Sequence, residues 1–274
     1  MSITIKKPLP SAQTVIAGST AKFDLSVGNI RYHKLLLRLT NGMGALTAVS
    51  AVIDEVRVLI DGRLVRRIKG TQLDYLTNFN GQGFSSYDNA NDPILRLYFA
   101  EPWRRNAGQE DVLAWGMSDV SNFQIEVDIK AGSTNLDFTG FAEVDFVKAP
   151  LGDVIHVMQT KVPATAAGTF NLTTLPKNLP YLRLHSFSSD IDELKIIRNN
   201  ETVFEVEKAE LIADQTMDAL NPDANHFTVA FDQRQRIEDY LEVRGASQFE
   251  LEYTLSGTPT SFDLVYEQLG PVLR

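Results

Sequence analysis

IDEVRVLIDG, residues 53–62, returns 138 residues later as IDELKIIRNN, residues 191–200. In the first copy Val56 and Val58 alternate with polar neighbours, and the run closes on Asp61-Gly62. Alternation with period two is the pattern of a half-buried strand, one face inward and the other in water. Working outward, four more segments match in the same order. FDLSVGNIRYHKLLLRL from Phe23 lines up with FNLTTLPKNLPYLRLHS from Phe170, and ILRLYFA from Ile94 with HFTVAFD from His226. EDVLA from Glu110 lines up with EDYLE from Glu238, and SNFQIEVDIKAGSTNLDF from Ser121 with SQFELEYTLSGTPTSFDL from Ser247. The offset between partners falls along the chain through 147, 138, 132, 128 and 126 residues, so the first half carries extra residues between its strands. Insertions of this kind belong in loops. Any one match is what two β segments share by chance; five in one order point to a duplicated domain.

The rest of the chain has the same texture. Phe123, Ile125, Val127 and Ile129 alternate with Gln124, Glu126 and Asp128, and Ala21, Phe23, Leu25 and Val27 share one strand face. Gly, Asn, Asp and Pro punctuate these runs. Helical signals are confined to LDYLTNF at 73–79 and AELIADQTMDAL at 209–220. The expected class is all-β with minor short helices: two tandem eight-stranded jelly-roll β-barrels, a double jelly roll. The expected domains are 1–150, an N-terminal jelly roll with an N-terminal arm, and 151–274, a C-terminal jelly roll, joined through a linker near 148–168.

Composition narrows the function. The 274 residues contain no cysteine, which excludes disulfides, thiolate metal sites and cysteine nucleophiles. No run approaches the roughly 20 apolar residues of a membrane span, and MSITIKKPLPSAQ has no apolar core of a secretory signal. A net charge of −9 argues against a protein that wraps nucleic acid directly.

The residues with chemical potential are scattered. His33, His156, His185 and His226 make no HxxxH or HExxH pair, so they are expected to be ordinary structural or surface histidines. YDNANDP at 87–93 offers Asp88 and Asp92 as calcium candidates, but it lacks the glycine and distal glutamate of an EF-hand and suits an Asn/Asp turn better. NPDANH at 221–226 is a fainter version. No nucleophile elbow or phosphate loop is present, and the Glu110-Asp111 and Glu238-Asp239 pairs recur at matched places, as solubilising loop residues do. Neither a catalytic residue nor a cofactor is expected. Trp103, Arg104 and Arg105 form a cluster suited to an oligomer interface, since Trp and Arg concentrate at binding hot spots. Arg66, Arg67 and Lys69 make a second basic patch, and Lys6 and Lys7 a third in the N-terminal arm.

VRVLIDGRLV at 56–65, FAEPWRRN at 99–106, VLAWGMSDVSNFQIEVDI at 112–129 and the second half from YLRLHSF at 181 carry a resemblance over nearly the whole chain. In order and spacing the chain resembles the double jelly-roll major capsid proteins of tailless, membrane-containing icosahedral bacteriophages, the corticovirus type in particular. The resemblance implies a homotrimer whose six barrels form a pseudo-hexagonal capsomer. It also implies contacts with neighbouring capsomers and with other capsid and membrane proteins of the virion. Chain ends would point to an internal membrane, where Lys6 and Lys7 would meet lipid headgroups. The protein would be made in the host cytoplasm and reside in the virion. The competing reading is a carbohydrate-binding jelly-roll module, for which Trp103, Trp115 and Tyr87 are the available aromatic platform. An enzyme on a β-sandwich, such as a cupin, lacks the histidine cluster it needs.

Overall fold

A computed structural model of the chain describes residues 3–41, 49–81, 94–104, 110–164, 166–256 and 261–272. The chain forms two compact units. The first comprises Met1–Asn78, Gln82–His156 and Pro271–Arg274, and the second Phe79–Gly81 and Val157–Gly270.

The first unit runs β1 (Ile5–Pro8), β2 (Thr20–Leu25), β3 (Arg31–Asn41), α1 (Val49–Val52), β4 (Ile53–Ile60), β5 (Arg63–Lys69), α2 (Gly70–Asn78), β6 (Ile94–Tyr98), β7 (Trp115–Gly116), β8 (Phe123–Ile129) and β9 (Leu136–Asp145). One sheet has the order β1–β9–β3–β6, with β7 also on β3; the other runs β2–β8–β4–β5 and continues into β10 (Val154–Val162). The division between units falls inside β10, after His156. Aromatic contacts join the two sheets: Phe23 stacks on Phe138 at 6.3 Å, and Tyr32 meets Phe123 edge-on at 5.0 Å.

The second unit contains β11 (Gly168–Leu172), β12 (Tyr181–Phe187), β13 (Ile191–Arg198), β14 (Glu201–Glu207), α3 (Lys208–Met217), β15 (Phe227–Ala230), β16 (Phe249–Leu255) and β17 (Phe262–Gly270). The order β15–β12–β17 makes one layer and β11–β16–β13–β14 the other. Leu184, Phe227, Val229 and Leu264 from the first layer share a core with Leu194, Ile196, Leu251 and Tyr253 from the second.

The expected class holds, with one correction. The sheets are open, ending at edges such as β2, β11 and β14, so each unit is a two-layer sandwich and not a closed barrel. Alternation buries one face of each sheet against the other layer, which needs two layers but not closure.

The repeat is written into the hydrogen bonds. In each unit a strand, a tight turn, a second strand and a helix follow one another at a constant offset of 138 residues: Ile53, Arg63 and Gly70 open the first set, Ile191, Glu201 and Lys208 the second. Both turns place two residues at positive φ, Asp61 (49°) and Gly62 (75°) against Asn199 (53°) and Asn200 (67°). That is the hairpin turn whose twist matches the strands, and Asp, Asn and Gly tolerate it best. The turn side chains have one task. Asp61 Oδ1 accepts the Ser121 and Asn122 amides, both at 2.8 Å, and Asn199 Oδ1 accepts the Ser247 amide at 2.9 Å and the Gln248 amide at 3.3 Å. Even the bulges coincide: β4–β8 shifts register between Ile53 and Glu55, and β13–β16 between Ile191 and Glu193.

Two of the five sequence matches are displaced by two residues. Tyr32 and Tyr181 are the true counterparts: each bonds a carbonyl just upstream, of Ser26 or Pro176, and each sits at a register shift against its partner strand. Their offset is 149 residues, not 147. Likewise Tyr32 pairs with Trp115 and Tyr181 with Leu241, giving 126 in place of 128. A slip of two leaves every side chain on its face, so periodicity cannot detect it.

Candidate functional site

Charge is arranged differently in the two units, and the arrangement is the chemistry this chain offers. In the second unit Arg183 of β12 is only 2% exposed. Its Nε donates to Asp232 Oδ1 at 2.9 Å, its Nη2 to Asp232 Oδ2 at 2.5 Å and its Nη1 to Glu267 Oε2 at 3.0 Å. His185, fully buried, lies with Nε2 3.4 Å from Glu267 Oε1 and Nδ1 3.1 Å from the Thr228 hydroxyl. Gln215 of α3 donates to the Thr228 carbonyl at 2.7 Å. The network ties β12 to β17, β15 and α3. Both carboxylates are committed to one guanidinium, a bidentate geometry that favours order over proton transfer.

The first unit centres on Asp145 at the end of β9. Arg31 donates to its Oδ2 at 2.6 Å through Nη2 and 3.1 Å through Nε, His33 Nε2 lies 2.8 Å away, and the Val147 amide donates to Oδ1 at 3.1 Å. Burial works to raise the Asp145 pKa, but the bonds from Arg31, His33 and Val147 outweigh it and hold the carboxyl below the usual range. His33 Nδ1 in turn lies 3.0 Å from the exposed Asp111. Among the described residues no group of three or more His, Asp or Glu is placed to hold a metal ion.

Lys6 and Lys7 lie on β1, hydrogen-bonded into a sheet through β9, and not on a loose arm. Lys6 Nζ stands 4.8 Å over the Phe141 ring, and Lys7 donates to the Ser26 hydroxyl at 2.9 Å. Ile3 and Phe146, at the same end of the β1–β9 pair, are 82% and 64% exposed. Trp103 packs edge-on against Tyr98 at 5.5 Å and is half-buried. Arg104 corrects the expectation made for it: its side chain is buried and its guanidinium clasps Glu101, three residues earlier, so it is not offered to a neighbour. Arg105, Asp88, Asp92 and Tyr87 lie outside the described residues. Trp115 is fully buried beside Phe99 and Phe123, which removes it from any sugar-binding platform. Arg66 is buried too, donating to the Ile155 carbonyl and stacking 5.0 Å from Trp115, while Arg67 bonds Glu55 at 3.0 Å. Sequence reading missed Arg183. The available signal was Arg183 and His185 alternating between leucines in YLRLHSF, which in a half-buried strand would point both into water.

The outer sheet faces complete the contrast. In the first unit Lys22 and Arg57 both bind Glu126, at 2.9 and 3.0 Å, and Arg57 also reaches Asp128 at 2.9 Å. The first unit has 17 basic and 17 acidic residues; the second has 9 and 18, so it carries the whole net charge of −9.

Two jelly-roll sandwiches in tandem define the class of double jelly-roll proteins. The sequence matches the models of the viral coat protein P2 N-terminal domain over residues 6–145 and of the viral coat protein P2 C-terminal domain over residues 154–272. The chain belongs to the viral coat protein P2 family. No curated protein sequence matches it. Among solved structures it is similar to the major capsid protein P2 from Bacteriophage PM2, at 17% identity and a TM-score of 0.84 over 99% of both chains. It is also similar to PBCV-1 VP54, at 10% identity and a TM-score of 0.70 over 98% of this chain and 94% of that one. The STIV major capsid protein follows at 11% identity and a TM-score of 0.66 over 97% and 96%. At such identities the likeness shows the shared fold.

Proposed function

We propose that this coat protein is the major shell subunit of an icosahedral virus and works as a homotrimer, its six jelly rolls forming one pseudo-hexagonal capsomer. The observation that carries this reading is the repeat. Two equivalent sandwiches per chain, equal down to turn bonds and bulges, let a three-fold ring approximate six-fold packing. The domains of that reading are 1–150 and 151–274. The protein is not an enzyme and acts in the virion after synthesis in the host cytoplasm. Its partners are neighbouring capsomers and the other capsid and membrane proteins of the shell. Lys6 and Lys7, with the exposed Ile3 and Phe146 at the same strand end, suit contact with anionic headgroups of an internal membrane, at about 1 kcal/mol per lysine. Light scattering on the purified chain tests the oligomer: a mass near three times 30.5 kDa is expected, and a monomer at every concentration and salt would sink the trimer.

A further inference from the structure

The most negatively charged strand of the second unit is also an open edge. β14 ends its sheet order and reads ETVFEVE, with Glu201, Glu205 and Glu207 exposed and Val203 37% exposed. Stripped of its glutamates it is a seven-residue, β-branched and aromatic strand whose outer side pairs with no strand among the described residues, the form that invites pairing with a second chain. Its counterpart in the first unit, β5, has Arg63, Arg67 and Lys69 at the three matching positions. There the charges serve the fold, since Lys69 lies opposite Glu55 and Arg67 bonds Glu55. In the second unit Glu207 lies directly opposite Glu193, a like-charge pair across the hairpin that weakens it. Lys195 answers only part of this, at 3.1 Å from Glu205 and 3.8 Å from Glu193. The hairpin itself gives no reason for acid at Glu207, which faces Glu193 and precedes α3 without a side-chain cap bond. The opposite edge, β11, has no charged side chain, but it is only five residues long, which blunts an edge by itself.

We infer that Glu201, Glu205 and Glu207 make β14 a charge-guarded edge that prevents two copies of the chain from pairing through this strand. Set antiparallel over their full length, two β14 strands put Glu201 opposite Glu207 at both ends, with Glu205 on the same face, so crowded subunits are directed to associate through other faces. The effect is read relative to the unmodified chain and does not depend on the trimer proposed above.

The test uses the full chain. The triple variant Glu201→Gln, Glu205→Gln, Glu207→Gln is compared by light scattering and sedimentation with the wild type. A matched control removes the same charge from exposed first-unit positions, Glu110→Gln, Asp137→Asn and Asp153→Asn. The edge variant is expected to begin extra association at a concentration at least tenfold lower than wild type, while the control does not. Adding Val203→Lys to the edge variant restores charge, of opposite sign, and is expected to reverse most of the shift. Circular dichroism checks that all variants fold. If the edge variant associates no more than wild type, if the control associates equally, or if Val203→Lys leaves the association in place, the inference is overturned.

Discussion

Lys34 and Arg183 occupy the same place in the two units. Each follows a tyrosine by two residues, each sits just past the register shift of its strand, and each faces a glutamate across the ladder, Glu143 or Glu267. Yet the Lys34–Glu143 pair, at 3.2 Å, keeps about a quarter of each side chain in water, while Arg183–Glu267, at 3.0 Å, keeps 2% and 6%. One position in a duplicated scaffold thus serves as a solvated surface pair in one copy and as the hub of a buried network in the other. The lysine suits the first use because a flexible ammonium keeps its hydration. The arginine suits the second because its planar fork satisfies Asp232 in two bonds and Glu267 in a third.

The largest test of this difference removes each cation in turn. Arg183→Met leaves the Asp232 and Glu267 carboxylates buried without their guanidinium and is expected to cost about 3–5 kcal/mol in urea unfolding. Lys34→Met breaks a pair that water already screens and should cost about 0–1 kcal/mol. Similar losses for the two would mean that burial does not separate them.

The hairpin turns test the sameness of the units instead. Asp61→Ala and Asn199→Ala each remove an acceptor that holds backbone amides of a neighbouring segment, and each asks alanine to take a positive φ. Both should lose about 1–2 kcal/mol. A clear loss in one turn and none in the other, by thermal unfolding, would break the equivalence that the shared geometry implies.

How much of this was legible follows from period two. Alternating Val56 and Val58, or Phe123 to Ile129, gives strand and face directly, and the conjunction of IDEV with IDEL gives the repeat. The two-residue slip at Tyr32 and at Trp115 was invisible because it changes no face. The burial of Arg183 and His185 was invisible for a related reason. Alternation reports one wet face, but β12 lies between β15 and β17 and is buried on nearly all its residues, so its polar face is inside and must be satisfied by distant partners. Arg104 misled because a Trp-Arg-Arg run looks exposed, while Glu101 one helical turn's length upstream folds back to hold it. Charge partition by unit needs only a count, once the fold draws the boundary.

The smallest effect concerns the acid limb of the second unit's surface. Glu242 accepts both guanidinium nitrogens of Arg244, Nε at 2.9 Å and Nη2 at 2.5 Å, and the Arg244 amide at 2.8 Å. The Arg244 side chain is the main cause that holds the Glu242 carboxyl at about 2, from an ordinary 4.5. A carboxyl depressed on folding contributes stability that is complete above its unfolded value and disappears as pH falls from about 4.5 towards 2. Both side chains are more than a third exposed, so solvent screening keeps the contribution small. Arg244→Ala should therefore move the Glu242 titration, followed by carboxyl NMR, back towards the ordinary range, while leaving stability near neutral pH almost unchanged. It should also flatten the acid limb of stability slightly between those two values. A Glu242 titration that stays near 2 in the variant would show that backbone amides, and not the guanidinium, hold the charge.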